Sequence, residues 1–410
     1  MSRILAYTSP ARGHLYPLTS ILLELRSRGH EIAVRTLASE VDLLRGLGLE
    51  AEAIDPRVES IELDDWRARG AARQLAASVR GFCARAEFDA PDLELAIRAE
   101  DPDALIVDIN SWGALAAAER WGGPWSAFCP YPLAVRSRDV PPFGPGFAPA
   151  RGAVGRLRDR VAGPLVTRAV EKEMLAPMNS VRAGLGLPGL VSSDALFRLP
   201  PLVLSLTAEP FEYHRRDWPD SVVQVGPCGW EPPADPPEWL AERSGPLVVV
   251  TTSSEFQDDG RLVATALEAL ADEPVQVVAT VPSGDPTAFT VPANARVERF
   301  LPHGPLLQVA SCAVTHGGMG ATQKALALGV PVCAVPFGRD QHEVARRVEV
   351  AGAGTRLPAR RLTAARLRAA VLEATGCGAG ARRVADGFAR AGGPASAATA
   401  VEDRLLAVRA

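Results

Sequence analysis

His14 stands in Gly13-His14-Leu15-Tyr16-Pro17, a few residues past the apolar run Ile4–Thr8. An imidazole beside a glycine turn can take a proton from a hydroxyl near neutral pH, an effect typically worth ~10²–10⁴-fold in rate. It needs a partner on its second nitrogen to fix the tautomer and steady the imidazolium. Asp108 closes the apolar run Ala104-Leu105-Ile106-Val107. If the two runs are neighbouring strands, its carboxylate can take the Nδ1 proton. A plainer reading has His14 packed at a helix start and Asp108 capping the next helix.

A second group of residues suits an anion. His316-Gly317-Gly318-Met319-Gly320-Ala321-Thr322 follows the apolar strand Cys312–Thr315 and opens an apolar helix. Glycines at such a junction leave first-turn N–H groups uncovered, and the positive helix end favours a phosphate. His316 can donate a further hydrogen bond to the same anion. Ser253 and Ser254 end another strand, where hydroxyls reach a diphosphate or cap a helix. Phe300, in Phe300-Leu301-Pro302-His303, could stack on a nucleobase whose edge His303 reads, or be a core residue at a loop. Asp340 and Gln341 follow a Pro-Phe-Gly loop; a carboxylate beside a carboxamide suits vicinal sugar hydroxyls, or caps a helix.

Short apolar runs alternating with longer helical patterns must position these groups. That alternation predicts an α/β fold of βαβ units with parallel sheets. It stops at Gly226-Pro227-Cys228-Gly229-Trp230-Glu231-Pro232-Pro233, a run suited to a linker, and then restarts. The expectation is two Rossmann-like doubly wound domains facing an interdomain cleft: residues 1–225, linker 226–238, and residues 239–394. A C-terminal helix over 395–410 is expected to pack back on the first domain. Neither half carries Gly-x-Gly-x-x-Gly after its first strand, which weakens a dinucleotide-binding reading.

The composition excludes several classes. The 410 residues are 47% apolar with a net charge of −4, and no run of like charge points to nucleic acid or an anionic membrane as partner. Six scattered cysteines contain no Cys-x-x-Cys pair, and no His/Cys/Asp/Glu grouping has metal-ligand spacing. No span long enough for a bilayer or secretion leader is evident, so a cytoplasmic location is the default.

Taken together, these segments resemble the UDP-glycosyltransferase superfamily of GT-B fold, especially bacterial natural-product glycosyltransferases. The likeness runs from Gly13-His14 through Phe300–His303, His316–Gly320 and Pro336 to Asp340-Gln341. It implies inverting, metal-free transfer of a hexose or deoxyhexose from a nucleotide diphosphate sugar, the co-substrate, to a hydroxyl of an apolar small molecule. No cofactor is implied. By position, His14 matches the general base and Asp108 its orienting carboxylate. Ser253, Ser254, Phe300, His303, His316, Gly318, Met319, Gly320, Ala321, Thr322, Asp340 and Gln341 match the donor site. Plant-type relatives carry a ribose-binding Glu where this chain has Lys324, which cannot accept a hydrogen bond. A TDP-sugar therefore fits at least as well as a UDP-sugar. Trp112, Phe82 and Phe143 are expected at the acceptor, with the Pro/Gly-rich loop Asp139–Arg151 as a flap. A homodimer stays open. Competing readings are a sugar-nucleotide epimerase of similar fold and a catalytically silent nucleotide-sugar-binding protein.

Overall fold

The computed structural model describes residues 1–68, 71–243 and 245–407. Seven strands build the first sheet: β1 (Arg3–Tyr7), β2 (Glu31–Thr36), β3 (Glu50–Ala53), β4 (Ala104–Asp108), β5 (Trp125–Cys129), β6 (Val203–Ser205) and β7 (Val222–Gln224). They lie in the order β3-β2-β1-β4-β5-β6-β7, every neighbouring pair parallel. The helices between them are α1 (Arg12–Ser27), α2 (Val41–Gly46), α3 (Pro56–Ser60), α4 (Ala71–Glu100), α5 (Trp112–Trp121), α6 (Ala153–Gly184) and α7 (Ser193–Arg198).

Gly226–Pro237 carries neither helix nor strand. Beyond it, β8 (Leu247–Thr251), β9 (Gln276–Thr280), β10 (Ala295–Glu298), β11 (Ala310–Thr315), β12 (Val332–Ala334) and β13 (Gly354–Arg356) form a second parallel sheet, in the order β10-β9-β8-β11-β12-β13. Its helices are α8 (Gly260–Leu270), α9 (His303–Gln308), α10 (Met319–Ala327), α11 (Gln341–Val350), α12 (Ala364–Thr375) and α13 (Gly378–Ala391). The last helix, α14 (Gly393–Val401), leaves this domain and shares a core with α1. There Ala397, Ala398 and Val401 pack with Leu18 and Leu22. Residues 408–410 of the expected C-terminal helix lie outside the described residues.

Both sheets are covered by helices on two faces, which is why their central strands are apolar throughout. β4 (Ala-Leu-Ile-Val-Asp) and β8 (Leu-Val-Val-Val-Thr) are buried at every residue. Alternate residues of β1 serve two cores: Leu5 and Tyr7 face α4 and α5, whereas Ile4 and Ala6 face α1 and α14. α1 buries Leu15, Leu18, Ile21, Leu22 and Leu25, each worth roughly 1.5–3 kcal/mol. α4 and α5 approach so closely that a Cβ on Gly113 would lie 2.1 Å from the Ala86 carbonyl oxygen.

In each sheet the strand order reverses once, between β1 and β4 and between β8 and β11. Chains leaving the carboxyl ends of such strands diverge and leave a crevice. The first crevice lies where β1 gives way to His14 and β4 ends in Asp108. The second lies where β8 leads to Ser253 and β11 to His316. The two crevices face one another.

Candidate active site

Paired parallel strands bring the first group together. β1 and β4 run in register to Tyr7 and Val107, so the following turns lie side by side. His14 Nδ1 is 2.9 Å from both carboxylate oxygens of Asp108. Asp108 is fully buried and also accepts hydrogen bonds from the Ser9 N–H, the Ser9 hydroxyl and the Asn110 N–H. Burial alone would raise this carboxyl. The charge of His14 and the donated hydrogen bonds outweigh burial and hold it below its ordinary value. Conversely, burial would lower the His14 imidazole, but Asp108 prevails and holds it above 6.5. A carboxylate on Nδ1 leaves Nε2 as the acceptor, and the Asn110 amide points at Nε2 from 3.3 Å. Tyr131 donates to the Asn110 Oδ1 at 2.6 Å, fixing which way that amide faces. Asn110 carries no sequence signal, and Tyr131 reads in the sequence only as one of several aromatics in the region expected to line the acceptor. Each becomes visible only once β5 is known to lie beside β4.

The second group gathers at the start of α10. Gly318 is its N-cap and Met319 its first residue, so the uncovered N–H groups belong to Gly318, Met319, Gly320 and Ala321. Thr322 does not join them. Its N–H already bonds the Gly318 carbonyl, and its buried hydroxyl pairs with that of Thr315, so it serves packing. The His316 imidazole lies beneath this turn: a Cβ on Gly318 would meet His316 Nε2 at 2.3 Å. Burial holds His316 below its ordinary value, against the pull of Asp259. It is therefore a neutral imidazole that can donate a single N–H.

Around this turn, Ser253 Oγ accepts from the Glu255 N–H and from Gln257 Nε2, while Ser254 is exposed to the cleft. Phe300 lies half exposed on the wall. His303 bonds Thr280 Oγ1 at 3.0 Å and is pushed down to about 4, by burial first and by the charge of Lys324 second. Asp340 faces the cleft and lies within electrostatic reach of His14. Gln341 is engaged otherwise: its Oε1 accepts from the Phe337 and Gly338 N–H groups, and its Nε2 donates to Gln257. Its carboxamide thus holds the loop that presents Asp340, and Gln341 lines the cleft beside it.

One cleft of about 1040 Å³ joins both groups, with apolar surface from the first domain. Phe82, Phe143, Leu75, Leu165 and Val166 line it. Trp112 does not. It is buried in the first core against Phe82, ring centroids 5.2 Å apart, because α5 turns its first residue toward α4. The expected flap is tied across the cleft: Glu343 of α11 accepts from both the Gly144 and Gly146 N–H groups at 2.8 Å. Further along the cleft rim, Arg339 joins Asp65 and Glu255, and Trp66 meets Phe256 edge-on. Among the described residues no group of three or more His, Cys, Asp or Glu side chains could hold a metal ion. Among the described residues no helix is long and apolar enough to cross a membrane.

Two facing doubly wound domains with the site between them define a GT-B architecture. Solved structures share it: the glycotransferase of kitacinnamycin superposes with a TM-score of 0.75 at 22% identity, covering 98% of this chain and 99% of that one. The calicheamicin glycosyltransferase CalG4 gives 0.70 at 24% identity over the whole of both chains. The profile for the C-terminal domain of erythromycin biosynthesis protein CIII-like proteins matches residues 264–403. In sequence, the chain is 35% identical over 387 residues to 4'-demethylrebeccamycin synthase of Lentzea aerocolonigenes, covering 90% of this chain and 91% of that one. It is 26% identical over 428 residues to demethyllactenocin mycarosyltransferase of Streptomyces fradiae, covering 99% and 87%. The chain belongs to the bacterial natural-product glycosyltransferases of antibiotic pathways.

Proposed function

We propose that this enzyme transfers a hexose or deoxyhexose from a TDP- or UDP-sugar to a hydroxyl of an apolar small-molecule natural product, with inversion and without a metal ion. The observation that carries the proposal is the His14–Asp108 pair at 2.9 Å, set across one cleft from the first turn of α10. The acceptor hydroxyl would lie on the His14 side, against the apolar wall of Phe82 and Phe143. The nucleotide would lie on the α10 side, its base by Phe300 and its sugar by Asp340.

In this reaction the acceptor oxygen forms a bond to the anomeric carbon as the bond from that carbon to the β-phosphate oxygen breaks. The acceptor proton goes to His14 Nε2, and the positive charge is shared with Asp108. The electron pair of the broken bond leaves with the nucleotide diphosphate. That growing negative charge falls on the N–H groups of Gly318–Ala321, the helix dipole and the His316 N–H, which stabilise it where it develops. Attack from the face opposite the leaving group inverts the centre, so an α-linked donor gives a β-linked product. A neutral His316 suits this task, because it donates without binding the ground-state diphosphate as a full counter-charge. The transferases among its relatives give no support to the epimerase alternative.

The test is a panel of TDP- and UDP-hexoses with apolar phenols and alcohols, run in excess chelator, with the product's anomeric configuration read by NMR. The β product from an α donor, at a rate insensitive to chelator, is expected. An α product, or activity lost in chelator and restored by Mg²⁺, would contradict the proposal.

A further inference from the structure

Among the described residues, four lysine or arginine side chains line the cleft: Arg12, Arg85, Lys324 and Arg339. Three of them touch a carboxylate. Arg12 pairs with Glu40 at 2.6 Å, and Lys324 with Glu231 of the linker at 3.0 Å. Arg339 pairs with Asp65 at 2.9 Å and with Glu255 at 2.7 Å. Arg85 makes no ion pair with any described residue, although it is only 7% exposed. Its Nε and Nη2 both donate to the Ile61 carbonyl oxygen, at 3.0 and 2.5 Å, and its Nη1 donates to no described residue. The acids nearest to it do not serve as counter-ions. Asp89, four residues on along α4, and Glu255 act on Arg85 from beyond ion-pair distance. Burial raises Asp89 well above the ordinary carboxylate range, toward its neutral form, and Glu255 is engaged by Arg339. Burial therefore prevails at Arg85 and holds it below its ordinary value, whereas their carboxylate partners raise Arg12 and Arg339.

A guanidinium stays charged even when buried, so one without a counter-ion costs free energy until an anion meets it. The place of Arg85 shows which ligand that anion belongs to. Leu75, Ser78, Phe82 and Arg85 recur at helical spacing on α4 and all line the cleft. The guanidinium thus ends an apolar stripe on the first domain, whereas the anion-binding turn of α10 belongs to the second. Arg85 also lies within electrostatic reach of Asp108, the partner of His14. We propose that Arg85 binds an anionic oxygen of the acceptor, which is an otherwise apolar molecule carrying a carboxylate or a comparably acidic group besides the hydroxyl offered to His14. The carboxylate would accept from Nη1 while the apolar body lies along Phe82 and Leu75. This inference rests on the placement of the acceptor proposed above.

Isothermal titration with two probes isolates the charge: 6-hydroxy-2-naphthoate and its methyl ester, each with and without saturating TDP. The carboxylate should bind about tenfold more tightly than the ester, as for a hydrogen bond between charged groups, and TDP should leave that ratio unchanged. In Arg85→Met and Arg85→Gln the ratio should fall to within about twofold, with the affinity for the ester close to that of the wild type. Equal binding of the two probes by the wild type, or binding of neither, would overturn the inference. So would a preference abolished by TDP, which would put the carboxylate on the turn of α10. A preference surviving in both variants at wild-type melting temperatures would overturn it as well. An equal loss of both probes in the variants would mark Arg85 as a support for Ile61 and have the same consequence. Transfer of sugar to both probes with equal affinity would sink this inference and leave the transferase reading standing. An Arg85-dependent preference with no transfer from any nucleotide sugar would uphold the anion subsite and count against that reading instead.

Discussion

At the scale of single residues, function here depends on where two protons sit. His14 is raised on folding, so its protonated form adds stability that is fully present below its unfolded value and is lost as pH rises through the folded one. Asp108 is depressed, so its contribution is present above its unfolded value and is lost as pH falls through the folded one. The proposed reaction uses the neutral imidazole with a charged Asp108. The acidic limb of kcat/KM should therefore have its midpoint above 6.5, the ordinary histidine value. In Asp108→Asn that midpoint should move downward, and turnover should fall by ~10²-fold or more, because the imidazolium loses its partner. A limb that stays in place in Asp108→Asn would show that another group titrates. His14 and Asp108 were legible in the sequence because one stands at a glycine turn just past a strand-like apolar run and the other closes such a run. Asn110 and Tyr131 were not, since their contact requires knowing that β4 and β5 are neighbours. Glu231 was hidden for a different reason: a linker of prolines and glycines does not announce which helix it crosses.

At the scale of elements, glycine spacing at the start of α10 foretold an uncovered helix end, and the structure has one. The sequence did not show that His316 lies under Gly318, which makes that glycine a packing requirement as well as an approach route. Gly318→Ala must displace the imidazole or the turn, since the added Cβ would lie 2.3 Å from His316 Nε2. It should weaken UDP and TDP binding at least about tenfold, a loss of ~1.4 kcal/mol, by isothermal titration. Undiminished affinity would separate the turn from the nucleotide. Trp112 shows the opposite limit. An aromatic at the start of a helix beside the site suggested an acceptor contact, but the packing of α5 on α4 turns it into the core. Trp112→Ala should cost about 3–5 kcal/mol in urea denaturation, as expected for a large core aromatic. A cost under 1 kcal/mol would return Trp112 to the cleft. The short strand β13, Gly354–Arg356, went unseen because three residues show no periodicity. Its place beside β12 depends on Gly354, where a Cβ would lie 1.8 Å from the Val332 carbonyl oxygen.

At the scale of the whole molecule, each domain contributes what the other lacks. The alternation of apolar runs and the proline-rich break made two doubly wound domains readable. Contacts across the cleft were not readable: Arg339 with Asp65, Trp66 with Phe256, and Glu343 holding the Gly144–Gly146 loop all join segments more than 180 residues apart. Through Glu343, the helix that follows Asp340 also fixes the loop carrying Phe143. The two walls of the cleft therefore share one support. This division of labour gives the central claim its most direct test: turnover and nucleotide binding measured side by side in His14→Ala. In the proposed reaction the base belongs to the first domain and the nucleotide to the second, so turnover should fall at least ~10²-fold while the UDP or TDP dissociation constant stays within about twofold. Turnover unchanged in His14→Ala would contradict the account.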